Sequence, residues 1–234
     1  MICTDLDDSL RDDICRYMGM TVQAPTLRHL NRLIHAHTRT VPWESISRIL
    51  KRHSTSRTSD CPRWPEEFWQ DAMTWGTGGT CFESSLAFYT LLRSLGYEAY
   101  LTVNDMGTSR ACHAAIVALL AGRKYLVDVT MPLYDAIPIE SDRVSRRRSF
   151  FHDYIVHPQG GNRYRITRSH HPRREAFTLI DIPVPESEYR RIVAADYAET
   201  GLFLKSVVIV RIVGDKVWRF FSDLQPYRLE SFNR

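Results

Sequence analysis

No stretch of eighteen consecutive apolar residues occurs in the 234-residue chain, which excludes a membrane-spanning helix of ordinary length. The opening residues, Met1-Ile2-Cys3-Thr4-Asp5-Leu6-Asp7-Asp8, are acidic and lack the basic and apolar regions of a secretory leader. Excess charge is scarce too. The 31 Lys and Arg against 27 Asp and Glu leave a net +4, too little to imply nucleic acid without a concentrated patch. Internal repeats and low-complexity tracts are missing, so no solenoid or linker-like architecture is indicated. The five cysteines, at 3, 15, 61, 81 and 112, are an odd and widely spaced set, which argues for free thiols in a reducing compartment. What remains is a cytoplasmic globular protein, 44% hydrophobic and 25% charged. Its length holds one large domain or two to three small ones, and it fixes no oligomeric state.

Helical periodicity governs the first ninety-odd residues. Leu6, Leu10, Ile14 and Tyr17 give an amphipathic helix stopped by Gly19, and Pro25-Thr26 opens a second with Leu27, Leu30, Ile34 and His37 on one face. His35 and His37 lie two apart, so on a helix they diverge and share no metal; they are expected to be solvated or capping groups. Thr40-Val41-Pro42-Trp43-Glu44 breaks this helix, and Ile46, Ile49 and Leu50 suggest a short third one. Residues 51–63 are polar and aperiodic and read as a loop. Pro65-Glu66-Glu67 has the composition of a first helical turn, with Phe68, Trp69, Ala72 and Met73 as its apolar side.

After Gly96 the period changes to that of strands. Residues 97–103 are predicted as one strand, 111–120 as a buried one, and 124–129 as its partner across the Ala121-Gly122-Arg123 turn. Further strands are expected at 150–156, 164–167 and 177–182. A helix is expected at 186–195 and a hairpin at 206–221 around Gly214-Asp215. This divides the chain into a helical bundle over 1–96, a β-barrel over 97–182 and a C-terminal α/β lid over 183–234, an α+β fold.

Gly78-Gly79-Thr80-Cys81-Phe82-Glu83 is the stretch with the most chemistry in it. Phe82, Leu86, Tyr89 and Leu92 repeat at helical spacing, which puts Cys81 at the start of a helix. Unpaired N–H groups and the positive dipole end favour a thiolate there. The glycines allow a sharp turn that leaves the sulfur uncovered. The alternative is a buried core thiol under a glycine-rich turn, and this stretch alone weighs the two evenly.

A nucleophilic thiol needs a base and an orienting group. A turn at Ala121-Gly122 pairs position 113 with 130, so Asp128 lies diagonally from His113, within side-chain reach. Both flank apolar runs, where an unpaired His or Asp would be costly. The order Cys81, His113, Asp128 is that of a Cys-His-Asp triad, against the alternative of a structural His–Asp pair unconnected to Cys81. Cys112 falls on the opposite strand face and is expected in the core. Nine arginines between 143 and 174, among them Arg146, Arg147 and Arg148, form either a solvated surface or a dock for an anionic group such as phosphate.

Taken together, these segments resemble the arylamine N-acetyltransferase family. Pro25-Thr26-Leu27 followed by Leu30, Leu33, His37 and Val41-Pro42-Trp43-Glu44-Ser45 is similar to its "PT-L-LH-H-VPFEN" segment. Gly78-Gly79-Thr80-Cys81-Phe82-Glu83 is similar to its "RGGxCFE" motif, and Ala111-Cys112-His113 and Tyr125-Leu126-Val127-Asp128-Val129 to its His and "LVDVG" strands. The similarity continues through Ala195-Asp196-Tyr197-Ala198-Glu199-Thr200, Phe203 and Val207 and spans about Tyr17 to Phe221. It implies an N-terminal helical bundle, a central antiparallel β-barrel and a shortened α/β lid on a cysteine-proteinase-like core. It also implies ping-pong acyl transfer. Cys81, activated by His113 and Asp128, would take an acetyl group from acetyl-CoA, or another acyl group from its acyl-CoA, and pass it to an arylamine or hydrazine. No metal, nucleic acid or membrane takes part.

Three places depart from the family pattern. Thr77 stands where "RGG" has arginine, so Glu44 is expected to find another partner. Ser85 replaces the asparagine after "CFE". Thr130-Met131-Pro132 replaces "GFG", where the resemblance places coenzyme A phosphates, so coenzyme A is expected to be held differently, with Thr130 and Arg146, Arg147 and Arg148 as the candidate contacts. Two other readings stay open on residues alone: a thiol hydrolase or transglutaminase-like enzyme with a non-CoA donor, and an inactive binding protein that kept the fold.

Overall fold

The computed structural model describes residues 6–131, 133–171, 173–223 and 225–232; the expectations placed on residues 1–5, including Cys3, and on Pro132 lie outside them. The helical half is α1 (Asp8–Tyr17), α2 (Leu27–Thr40), a two-residue strand β1 (Trp43–Glu44), α3 (Ile46–Ser54), a 3-10 turn (Thr58–Asp60), α4 (Pro65–Trp75) and α5 (Cys81–Ser94). Local chemistry starts these helices where the sequence places them. Asp7 accepts the Leu10 N–H at 2.7 Å and Thr26 accepts the His29 N–H at 3.1 Å, while Pro65 occupies the first turn of α4.

Strands β2 (Glu98–Met106), β3 (Ser109–Leu120), β4 (Arg123–Val127), β5 (Ile137–Ile139), β6 (Ser145–Arg148), β7 (Asp153–Pro158), β8 (Arg163–Arg168) and β9 (Glu175–Ile180) form one antiparallel sheet. Its order is β5-β4-β3-β2-β9-β8-β7-β6, and the two edge strands lie against each other, so the sheet nearly closes into a barrel. After α6 (Glu186–Ala195), strands β10 (Val208–Val213), β11 (Lys216–Phe221) and β12 (Arg228–Phe232) add to β1 in the order β1-β10-β11-β12. Trp43 pairs with Val210 and Glu44 with Ile209, so the segment expected only to break a helix also ties the C-terminal sheet to the helical half.

Strand β3 explains the unbroken apolar run. Ala114, Ile116 and Ala118 join the core shared with α2, α4 and α5, whereas Ala115 and Val117 join the barrel interior with Leu126, Val156, Ile166 and Phe177. Successive side chains point to opposite faces, and both faces are dry.

The structure corrects three expectations. His37 is neither solvated nor a cap: it is 1% exposed, edge-on to Phe88 and Trp69 with ring centroids 5.0 and 5.7 Å away. Helix α3 forms with its faces reversed, Ile46 and Leu50 outward and Ser47 and Arg48 inward, because Arg48 bonds Asp196 at 2.7 Å and the Leu202 carbonyl at 2.9 Å. Cys112 is half-buried rather than core, its thiol donating to the Ser109 carbonyl at 3.6 Å.

Candidate active site

Helix α5 runs through the core, and Cys81 at its first position is buried, 8% exposed, rather than uncovered. The glycines before it serve close approach, not a left-handed turn. A Cβ at Gly78 would sit 1.7 Å from the Pro42 carbonyl oxygen, and one at Gly79 would crowd Phe68, Glu83 and Arg63 at 3.0–3.3 Å. Here the turn packs directly on the chain leading into β1: the Glu44 N–H donates to the Gly79 carbonyl at 3.3 Å.

His113 and Asp128 meet as their strand register dictates. The ladder pairs Leu120 with Arg123 and Ile116 with Val127, which carried three steps further sets 113 opposite 130. Both side chains follow the barrel-interior parity, and His113 Nε2 lies 2.8 Å from Asp128 Oδ2. The Phe177 ring covers the imidazole at 4.5 Å. Thr130 donates both its N–H (2.9 Å) and its hydroxyl (2.8 Å) to Asp128 Oδ1, so its two donors are engaged with the carboxylate. The Cys81 sulfur sits 3.8 Å from the carbonyl oxygen of Cys112, the residue next to His113, and Cys81 is among the groups that raise the His113 pKa.

The electrostatics follow from burial and pairing. Burial alone would lower the His113 pKa, but the Asp128 carboxylate outweighs it, and the hydrogen bond to Cys81 adds to the rise. Asp128 responds in the opposite sense: burial would raise it, yet the His113 charge and the hydrogen bonds from His113 and Thr130 hold it below the usual range.

Behind α5 lies a network that sequence reasoning missed. Glu83, its side chain wholly buried, accepts the Arg63 guanidinium at 2.9 Å, the Arg63 N–H at 3.2 Å and the Tyr197 hydroxyl. Arg63, 2% exposed, also donates to the Gly78 carbonyl and reaches Asp71 at 3.3 Å and Glu44 at 3.9 Å. Glu44 in turn accepts from Ser47 N–H (2.9 Å), Ser47 Oγ (2.7 Å) and Gly78 N–H (3.3 Å). Arg63, read as part of a polar loop, thus supplies the cation that Thr77 cannot. The signal available in the sequence was Glu83 itself, a carboxylate inside an apolar helix that demands a buried partner. Tyr189 fixes the same turn by donating to the Phe82 carbonyl at 2.8 Å, and Ser85 ties α5 to β3 through the Ala114 carbonyl at 3.1 Å.

The arginines of the 143–174 segment are partly spoken for. Arg143 pairs with Glu140 (3.3 Å) and Arg163 with Asp105 (3.1 Å), and Arg147 donates to the Ala136 carbonyl at 3.4 Å. Arg146 and Arg148 are exposed on the edge strand β6. Among the described residues there is no group of three His, Cys, Asp or Glu that could hold a metal, and no helix long and apolar enough to cross a membrane.

A family model described as N-acetyltransferase matches residues 26–218. Among curated protein sequences none matches. Solved structures with the same fold include the arylamine N-acetyltransferase of Salmonella typhimurium (TM-score 0.77, 15% identity, covering 98% of this chain and 86% of that one). That of Mycobacterium abscessus follows at TM-score 0.73 and 19% identity, with 95% and 83% covered. One from Bacillus cereus, described as having a unique Cys-His-Glu catalytic triad, gives TM-score 0.74 and 16% identity, with 97% and 94% covered.

Proposed function

The chain belongs to the arylamine N-acetyltransferase family, and from that premise we propose that it moves an acetyl or other acyl group from an acyl-CoA to a small amine through a thioester on Cys81, in a ping-pong sequence. Family and fold support an acetyltransferase. The observation that carries the finer reading is the buried convergence of Cys81, His113 and Asp128, with Nε2 of the ring taken by Asp128 at 2.8 Å and Nδ1 left for the sulfur. Asp128, held by Thr130, fixes the ring's tautomer and orientation.

In this mechanism the Cys81 proton passes to His113 and the sulfur attacks the thioester carbonyl. Coenzyme A leaves as the thiol with the proton from His113. The amine then attacks the acyl-cysteine, His113 takes the amine's proton, and Cys81 departs and is reprotonated. Helix α5 carries no side-chain cap, so its first N–H groups are free to stabilise the oxyanion. The acceptor is an arylamine or hydrazine, and the four free thiols among the described cysteines support a cytoplasmic setting.

Intact-mass measurement after incubation with acetyl-CoA alone tests this. The expected result is one acetyl group on the wild type, none on Cys81→Ala, and its removal with acylated amine appearing when an arylamine is added. No acyl adduct with any of several acyl-CoAs would refute the reading.

A further inference from the structure

Helix α2 has one face that the site does not use. Arg28, Arg32, His35 and Arg39 recur at i, i+4, i+7 and i+11 and all line a groove of about 640 Å³, which Tyr134 and Asp135 also line. Among the described residues neither Arg28 nor Arg32 has a hydrogen-bond or ion-pair partner. Arg39 is neutralised by no carboxylate either: its two terminal nitrogens donate to the Gly214 carbonyl at 3.0 and 2.9 Å. Asp135 is the one acid in the lining. The His35 and Tyr134 rings meet edge-on at 4.5 Å, and the Tyr134 hydroxyl is buried without a partner. Met18 and Met20 add apolar floor.

We propose that this groove holds the phosphate-bearing nucleotide end of the acyl-CoA, a reading that rests on the acyl transfer proposed above. Guanidinium forks suit phosphate oxygens, and two unpaired ones on a concavity, with a third cation beside them and one opposing acid, make an anion site, not merely a solvated helix face. The apolar floor and ring edges suit the adenine. His35 is lowered by burial and then by the charge of Arg39, in keeping with a field that favours anions. Two chain segments run from the groove to Thr130, the hydrogen-bond partner of Asp128. The end of α2, through Thr38, and the run after Asp128, through Thr130 and Met131, line a small cavity of about 40 Å³ together with Trp43 of β1 and Val210, Ile212 and Val217 of the C-terminal sheet, and the same two segments continue into the groove as Arg39, Tyr134 and Asp135. A ligand lying along them has its phosphates at the arginines and its thioester end towards Cys81.

Calorimetric titration of coenzyme A, with acylation of Cys81 by acetyl-CoA and by S-acetyl-N-acetylcysteamine, which carries no phosphate, provides the test. In Arg28→Ala/Arg32→Ala, coenzyme A binding is expected to weaken about tenfold or more and to lose most of its salt dependence, with the fall in acylation confined to acetyl-CoA. Unchanged coenzyme A affinity in that variant overturns the proposal. So does an equal fall with both esters, or a loss of affinity seen only in the rival variant Arg146→Ala/Arg147→Ala/Arg148→Ala. A wild type acylated by neither ester refutes the acyl-transfer reading instead, and the coenzyme A titration still decides the groove.

Discussion

Arg63 carries one charge and meets three carboxylates and a carbonyl with almost no water present. Such a group contributes through what its removal leaves behind. A buried ion pair is close to neutral against an apolar replacement of both partners, but deleting one partner strands the other's charge. Arg63→Met is therefore expected to cost about 3–5 kcal/mol in urea unfolding, because Glu83 has no water to turn to. Adding Glu83→Gln should recover part of that loss, since the amide is uncharged and its oxygen still accepts from Tyr197. Strict additivity of the two substitutions would show that the charges do not depend on each other.

At the scale of elements, the β3–β4 hairpin does the positioning. Its two-residue turn sets the register, the register sets the diagonal between His113 and Asp128, and Thr130 lies on the same strand course. That makes Thr130 a test of two assignments. As a partner of Asp128, Thr130→Val should lower kcat and leave KM for acetyl-CoA unchanged. As a phosphate contact it should raise KM. We expect the first, and a milder fall than the ~10²–10⁴-fold of Asp128→Asn, because the Thr130 N–H still donates. A KM rise with constant kcat would return Thr130 to coenzyme A. This hairpin was fully legible in the sequence, since a tight turn between apolar runs leaves one register open. The helices were legible for the same reason, through periodicity and caps. What escaped were features fixed by partners far along the chain. Strand β1 is two residues long and exists only because β10 lies beside it. The inward face of α3 was set by Asp196 and Leu202, some 150 positions on. His37 shares the apolar face of α2 with Leu30 and Ile34, but its residue type argued for solvent, and its aromatic neighbours Trp69 and Phe88 come from elements further along the chain.

For the whole molecule, pH acts through buried histidines of opposite sign. His113 is raised, so its contribution is complete below its unfolded value of about 6.5 and is lost as pH climbs through the folded pKa. Asp128 is lowered, so its share is complete above about 4 and is lost as pH falls through the folded pKa. His37 opposes His113. Burial alone lowers its pKa to about 3, and neither ring nitrogen has a hydrogen-bond partner, so the folded protein keeps it neutral where the unfolded chain protonates it. Below about pH 6.5 the unfolded state then binds one more proton, and stability falls with acid by up to about 1.4 kcal/mol per pH unit from this residue. Urea midpoints between pH 4 and 7 should fall steeply for the wild type and distinctly less for His37→Leu, which fills the place between Trp69 and Phe88 without a titrating group. Parallel profiles for the two proteins would mean that His37 finds a proton's worth of solvation in the fold. The acid sensitivity would then belong to carboxylates such as Asp128, whose loss begins only nearer pH 4.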